Sequence, residues 1–296
     1  MSEHSAKAGH DDKAGPVSRR KLLKRGLLGS VAVGAGLLGY TVFVEPFWWR
    51  FVRAELPIRD LPNALVGRTL VQISDLHLGS RVDEDHMREA VMSLASLSPD
   101  LVVITGDLTQ HGDADGVAQV RRVFRDFPHG PLGSISILGN HDYGRGWSEP
   151  KAAAAVETAL QDSGVRVLRN ELETVEGLQI VGLDDLWAKR FDPARVMPRV
   201  DPAAASLVLS HNPDTLDLPV WGDWKGWVLS GHTHGGQCKP PFLPPPLLPV
   251  KNRRYTQGAI DAGGGRRVYI NPGLGYLRQV RFNVRPEITV FTLRRG

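Results

Sequence analysis

The sequence predicts an α/β fold, a two-sheet β-sandwich flanked by helices, preceded by an N-terminal signal or anchor helix. Three observations carry this expectation. Short apolar runs of strand length recur through residues 67–296. The earlier ones alternate with stretches whose apolar residues repeat at the helical period, and after residue 164 strands replace helices. Five of the runs deliver a polar motif at their C-terminal end, the edge at which open α/β sheets bind ligands.

Taken in order, residues 69–73 are a β-rich run ending at Ser74-Asp75, and residues 101–105 end at Gly106-Asp107. Residues 135–138 end at Gly139-Asn140-His141, residues 207–210 at His211, and residues 227–230 at Gly231-His232. Between them, residues 84–97 carry Met87, Ala90/Val91, Leu94 and Leu97 on one helical face. Residues 116–127 and the Ala-rich 149–161, stopped near Gly164, are further helices. Residues 165–168, 172–175, 178–181, 267–270 and 287–293 read as strands. Residues 239–250 hold six prolines, a stiff extended loop interrupted by Phe242, Leu243, Leu247 and Leu248. It is either a packed structural loop or one that touches a membrane or covers substrate.

The whole-chain charge of +4 misleads. Residues 1–25 carry seven Lys/Arg against three acids, so the full excess sits there. The rest sums to zero, which argues against a general nucleic-acid binder. Residues 251–296 hold ten Lys/Arg against two acids, either a solvated face or a surface for an anionic substrate or headgroup. The single cysteine, Cys238, excludes an intrachain disulfide. It is read as a bystander thiol, because the candidate donors are nitrogen and oxygen.

Four segments follow. Residues 1–25 form a disordered basic segment and 26–50 a hydrophobic signal or membrane anchor. Residues 51–66 are a linker, and 67–296 the main domain. Arg19-Arg20 before the uncharged run 26–44 resembles a signal for the twin-arginine (Tat) export machinery, which carries folded proteins. No small-residue cleavage site follows; Phe47-Trp48-Trp49-Arg50 follows instead, in the manner of an interfacial belt. The expected location is membrane-anchored or extracytoplasmic, with the cytoplasmic face of the membrane as the alternative.

The motifs Asp75-Leu-His77, Gly106-Asp107, Gly139-Asn140-His141-Asp142, His211 and Gly231-His232-Thr233-His234 supply three carboxylates or amides and five histidines. That is the donor set of two adjacent cations with one histidine left over. Mixed imidazole and carboxylate donors suit Mn, Fe or Zn. Two cations sharing a carboxylate can trap a hydroxide and direct it in line at phosphorus. His4, His10, His86, His111 and His129 fall outside the motifs and take structural or surface roles.

This ordered set closely resembles the calcineurin-like metallophosphoesterase family over roughly residues 66–293. The resemblance implies a four-layer αββα sandwich and a dimetal phosphoester hydrolase. Asp75, His77 and His234 would hold the first cation, Asp107 would bridge, and Asn140, His211 and His232 would complete the second. His141 would face the substrate. One departure stands out: the family's second aspartate, three residues after the bridging one, is Gln110 here. Its amide oxygen, or Asp113 or Asp142, would then have to orient His141.

Leu209-Ser-His-Asn-Pro-Asp214, Asn271-Pro-Gly-Leu-Gly275 and Arg281-Phe-Asn-Val-Arg-Pro-Glu-Ile288 narrow the likeness to the Tat-exported phosphodiesterase branch. Some of its members resemble hydrolases of UDP-2,3-diacylglucosamine. A phosphodiester substrate, lipid- or envelope-linked, is the expectation; a phosphomonoesterase or nucleotide hydrolase on the same site is the alternative. An inactive metal-binding scaffold is a remote third reading. Arg278, Arg281 and Arg285 are candidate phosphate contacts.

Overall fold

The computed structural model describes residues 19–296. The disorder expected of residues 1–18 therefore lies outside the described residues, as do His4 and His10. The chain divides into two compact units, residues 1–40 and 41–296. In the first, the described residues form most of helix α1 (Arg19–Phe43), which is long and apolar enough to cross a membrane.

The larger unit holds twelve strands and three α-helices among the described residues. The strands β1 (Arg50–Ile58), β2 (Thr69–Ile73), β3 (Leu101–Thr105), β4 (Ser134–Ile137) and β5 (Arg166–Val167) come first. They alternate with α2 (Glu84–Met92), α3 (Ala114–Val123) and α4 (Pro150–Gln161). Then come β6 (Glu171–Val175), β7 (Leu178–Gly182), β8 (Ser206–Leu209), β9 (Gly226–Ser230), β10 (Gly258–Gly263), β11 (Arg266–Ile270) and β12 (Glu287–Arg295). One sheet runs β1-β12-β2-β3-β4-β5 and the other β10-β11-β9-β8-β7-β6. Both are mixed, with parallel centres and antiparallel pairs such as β12/β2 and β6/β7.

Alternation along the strands builds the layers. In β3, Leu101 and Val103 point between the sheets while Val102 and Ile104 point to the helices. In β8, Leu207 and Leu209 point between the sheets and Val208 points outward. Helices α2 to α4 cover the first sheet with Val91, Val120, Val156 and Leu160. The far face of the second sheet is covered not by α-helices but by short 3₁₀ turns at Pro193–Arg195, Met197–Arg199 and Pro213–Asp217, packed with Leu216 and Trp221. The outer α layer of the expected αββα order is thus reduced to turns on that side. Asp83 and Asp113 cap α2 and α3, each accepting a backbone N–H from the first turn.

One boundary is corrected. Residues 51–66 are not a linker: Arg50–Ile58 form edge strand β1, parallel to β12 in continuous register from Arg50↔Glu287 to Ile58↔Arg295. The alternating exposure of β1 and its Pro57 suit an edge position. Most basic residues near the C-terminus are exposed, though several make bonds within the chain. Arg294 pairs with Glu55, and Arg295 bonds Leu61 O and Asn63.

Candidate metal centre

The five strand-end motifs converge. Asp75 and His77 follow β2, Asp107 follows β3, Asn140 and His141 follow β4, His211 follows β8, and His232 and His234 follow β9. The sites of both sheets meet because Gln72 of β2 donates across to Ser230 O of β9 (2.9 Å) and to Thr105 of β3 (3.1 Å). The turns are unusual: Asp75, His77, Asp107, His232 and His234 all have left-handed backbones, φ from 49° to 70°. Each such residue costs about 1–2 kcal/mol, so the surrounding fold has to hold them there.

Close packing does that holding. Gly139 lies against Asp107 and Gly231 against Ser74 and Asp75, so a Cβ at either would run into those groups. Asp75 N–H bonds Gly106 O (2.9 Å), and His77 N–H bonds Asp107 O (3.0 Å). The segment Asn271-Pro-Gly-Leu-Gly275 braces Asp75 from behind, with Leu274 N–H on Ser74 O and Gly275 N–H on Asp75 O. Arg281 is wholly buried and donates to the carbonyls of Pro272, Gly273, Gly275 and Val284. It organises this brace and cannot meet a phosphate. Arg285 is likewise engaged, donating to the carbonyls of Trp48 and Trp49 and lying over the Trp48 ring.

Three overlapping groups could hold cations: Asp75 with His77 and His234, His77 with Asp107 and His141, and Asp107 with His211 and His232. His77 Nε2 lies 3.0 Å from His234 Nε2 and 3.5 Å from an Asp107 oxygen. His234 Nε2 is 3.3 Å from Asp75. On the other side, His211 Nε2 is 3.1 Å from Asp107 and 3.2 Å from His232 Nδ1. Asp107 thus stands between the two sets. Asn140 is fully buried with neither amide atom hydrogen-bonded. It sits between Gly139, which touches Asp107, and His141, whose N–H bonds Asp107 (2.9 Å). A buried amide left without a partner costs roughly 1–3 kcal/mol unless something else takes its oxygen. Converging ring nitrogens, one shared carboxylate and this orphaned amide all fit a pair of divalent cations.

Backbone carbonyls set the imidazole tautomers. His211 Nδ1–H faces Thr105 O at 2.7 Å, leaving Nε2 as the donor atom. His232 is reversed: its Nε2–H faces Pro249 O at 2.8 Å, leaving Nδ1. The Pro-rich loop is a packed structural loop at its base. Its base bonds His232 and Pro245 packs on Gly236, while Phe242 and Leu247 at its tip stand in solvent.

Burial shapes the protonation states. It pushes His77 and His234 well below the ordinary imidazole value and His232 to about 3, so all three are neutral, as ligation requires. Burial also lifts Asp75 to about 6. At Asp107 burial acts upward, but His211, which Asp107 in turn lifts well above the ordinary imidazole value against its own burial, outweighs it and holds the carboxyl well below its usual range.

The partner of His141 corrects an expectation. Its Nδ1 faces the main-chain carbonyl of Gln110 at 2.8 Å, not the side-chain amide, whose Oε1 is buried without a partner. Asp113 caps α3 and Asp142 accepts from Thr109 and Gly139, so neither orients His141. Of the remaining histidines, His86 packs on Phe47 and Trp49, and His129 bonds Ser134 and Ser163 O. His111, expected to take a structural or surface role, lies 6.3 Å from the His141 ring. Cys238 belongs to none of the three groups.

Two tryptophans at the site escaped the sequence reading. Trp147 is 6.0 Å from His141, Trp187 is 4.4 Å from His232, and their rings are 4.9 Å apart. Trp187 follows β7, the same strand-end rule that picked out the candidate ligands.

Residues 68–236 match the family model for calcineurin-like phosphoesterases. The chain is 33% identical over 292 residues to the uncharacterized metallophosphoesterase YkuE of Bacillus subtilis, covering 94% of this chain and 98% of that one. It is 31% identical over 286 residues to the phosphodiesterase YaeI of Escherichia coli, covering 94% and 99%. The UDP-2,3-diacylglucosamine pyrophosphatase LpxG of Chlamydia trachomatis is 29% identical over 299 residues, covering 83% and 89%. A match across more than half the chain, landing on the turns that carry the donors, makes this protein a phosphoester hydrolase of the calcineurin-like metallophosphoesterase family.

Proposed function

We propose that the protein is a dimetal phosphodiesterase. Asp75, His77, Asp107 and His234 would hold one cation; Asp107, Asn140, His211 and His232 would hold the other. The observation that carries this is Asp107 standing within 3.5 Å of His77 on one side and 3.1 Å of His211 on the other, beside the unpartnered Asn140 amide. Bound there, Mn, Fe or Zn ions would supply Lewis acidity to a phosphoryl group and acidify a water.

The chain's own residues do the rest. The carbonyls of Thr105 and Pro249 keep His211 and His232 in the ligating tautomers. His141, half-buried beside His77, presents Nε2 while Gln110 O fixes its Nδ1–H. It is placed to donate a proton to the departing oxygen or hold charge on phosphorus. The phosphodiesterase name of one relative and the pyrophosphatase name of another favour a diester or anhydride over a monoester.

The substrate is lipid- or envelope-linked in this reading. Helix α1 would anchor the enzyme after Tat export, uncleaved, with residues 41–296 on the outer face. The apolar length of α1 and the exposed Phe43, Trp48 and Phe242 support a membrane setting. The test is hydrolysis of bis-p-nitrophenyl phosphate beside p-nitrophenyl phosphate by protein loaded with each of the three metals. Diester cleavage well above monoester cleavage is expected; the reverse preference would replace the diesterase by a phosphatase.

A further inference from the structure

The Pro-rich loop, residues 239–250, is pinned at both ends and exposes apolar side chains between the pins. At its start Lys239 N–H bonds Phe282 O at 2.9 Å. At its end Pro249 O faces His232 Nε2–H at 2.8 Å, and Arg253 donates to Pro245 O at 2.6 Å. Between them Phe242 is 104% exposed, Leu247 77% and Leu243 60%. Phe242 sits in a turn closed by Leu243 N–H on Pro240 O, with a left-handed backbone (φ 65°) that bulky residues seldom adopt. Six prolines stiffen the segment, so these side chains stand out on a constrained backbone.

Residues 279–285 join this tip to a second apolar group. They bond the start of the loop through Phe282 N–H on Gln237 O and Lys239 N–H on Phe282 O. They also bond residues 41–49: Arg281 N–H meets Thr41 O, Val284 N–H meets Glu45, and Arg285 meets the carbonyls of Trp48 and Trp49. Phe43, Val44 and Trp48 are exposed there. Phe43 is the last residue of α1, so a bilayer crossed by that helix would end at this group. Charge is one-sided around it. Residues 237–254 and 277–286 hold seven Lys/Arg and no Asp or Glu. Glu45 is buried and spent on Val284. Arg254, Arg281 and Arg285 donate to carbonyls, and Asp214 adjoins Lys251. That leaves Lys239 and Arg278, with Arg253 held on the loop itself through Pro245 O.

Single exposed apolar residues are ordinary on a protein surface, but a clustered set is a mark of an interaction site. Aromatic and leucine tips, ringed by cations and free of neighbouring acids, match the boundary between hydrocarbon and anionic headgroups. We infer that Phe242, Leu243 and Leu247 enter the bilayer as a membrane contact separate from α1, with Lys239, Arg253 and Arg278 on anionic headgroups. This rests on the membrane setting proposed for α1 and adds a partner for the loop that holds His232. Pro249, which bonds His232, is two residues from Leu247, roughly 7 Å of chain. The contact therefore sets the metal centre at headgroup level.

The test uses the full-length, metal-loaded chain in lipid nanodiscs, one set of phosphatidylcholine alone and one with phosphatidylglycerol in equal part. Cys238 is the only cysteine and belongs to none of the donor groups, so Cys238→Ser permits a single fluorescent label. Labels are placed at Phe242→Cys, at Val31→Cys in α1, and at Ala154→Cys on the exposed side of α4. Lipids brominated on their acyl chains quench a label that lies in hydrocarbon. The label at 242 should lose most of its emission, more so in the anionic discs, while the label at 154 keeps its own. Leu243→Asp combined with Leu247→Asp should remove most of the quenching at 242. Quenching at 31 with none at 242 beyond that at 154 would overturn the loop contact and leave the anchor standing. No quenching at 31 would overturn the membrane setting and the loop contact with it. A 242 label shielded from aqueous iodide yet untouched by brominated lipid would put the loop against protein, and would also overturn the inference.

Discussion

His141 shows how a departure in sequence can be absorbed by the backbone. Gln110 replaces a carboxylate the family usually carries, yet the atom that faces His141 Nδ1 is the Gln110 carbonyl oxygen, which any residue would supply. Gln110→Ala should therefore change kcat/KM for a diester by less than about threefold. His141→Ala should lower it on the order of 10²–10⁴-fold. Steady-state kinetics at matched metal content checks both; a large loss in Gln110→Ala would restore a role for its amide. A second group, Asp185, is buried, and burial lifts its carboxyl to about 7, opposed by His211. An acid whose pKa is higher folded than unfolded favours folding while protonated. Its ionisation destabilises the fold progressively as pH rises from its ordinary value of 3.8 towards 7. Asp185→Asn keeps an acceptor for Ala188 N–H and removes this cost. Metal-free Asp185→Asn should melt a few degrees above the parent at pH 8, with the gap closing towards pH 4; a gap independent of pH would contradict the assignment. The candidate ligands could be named from the sequence because each lies in a short contiguous motif at a strand end. Their carbonyl partners at Thr105, Gln110 and Pro249 were not, because a main-chain oxygen leaves no mark in residue type.

At the scale of elements, the ligand turns trade backbone strain for convergence. Gly139 and Gly231 are the positions where this is most exposed, since each lies where a side chain would press on a candidate metal-binding aspartate or the serine beside it. Gly231→Ala should displace Asp75, which accepts the His232 N–H through both oxygens. Metal affinity should fall by at least tenfold, while far-ultraviolet dichroism stays that of the parent. Unchanged metal affinity would show the turn to be more yielding than its packing implies. The buried strands were readable as apolar runs of four to five residues. Strands β1 and β10 were not: both lie at sheet edges, β10 and the first six residues of β1 alternate between half-buried and exposed positions, and β10 has the glycine-rich sequence GAIDAG. Such strands are specified by the neighbour they pair with more than by their own composition. The helical period across residues 84–97 was real, but α2 tightens to 3₁₀ at Ser93–Leu97 without losing the Leu94 face.

The whole molecule ties its catalytic sheet to the segment that follows α1. Strand β1 pairs with β12 some 237 positions later in sequence, a contact no local pattern announces. Before it, Glu45 is buried and accepts Val284 N–H, and Thr41 O accepts Arg281 N–H. Arg281 in turn holds carbonyls of the segment whose N–H groups brace Asp75. A chain beginning at residue 41 should therefore keep the fold and diesterase activity. One beginning at residue 50 should melt on the order of 5 °C lower through loss of the Glu45 bond and the Trp48 stack. Equal melting temperatures would mean that residues 41–49 contribute nothing to the larger unit.

The claim on which the rest depends is that two cations share Asp107. Anomalous scattering from crystals grown with the activating metal tests it most directly. Two peaks should flank the Asp107 carboxylate, one among Asp75, His77 and His234, the other among Asn140, His211 and His232, and Asp107→Asn should lose at least one of them. A single peak in the parent protein, or a pair lying away from Asp107, would contradict the account.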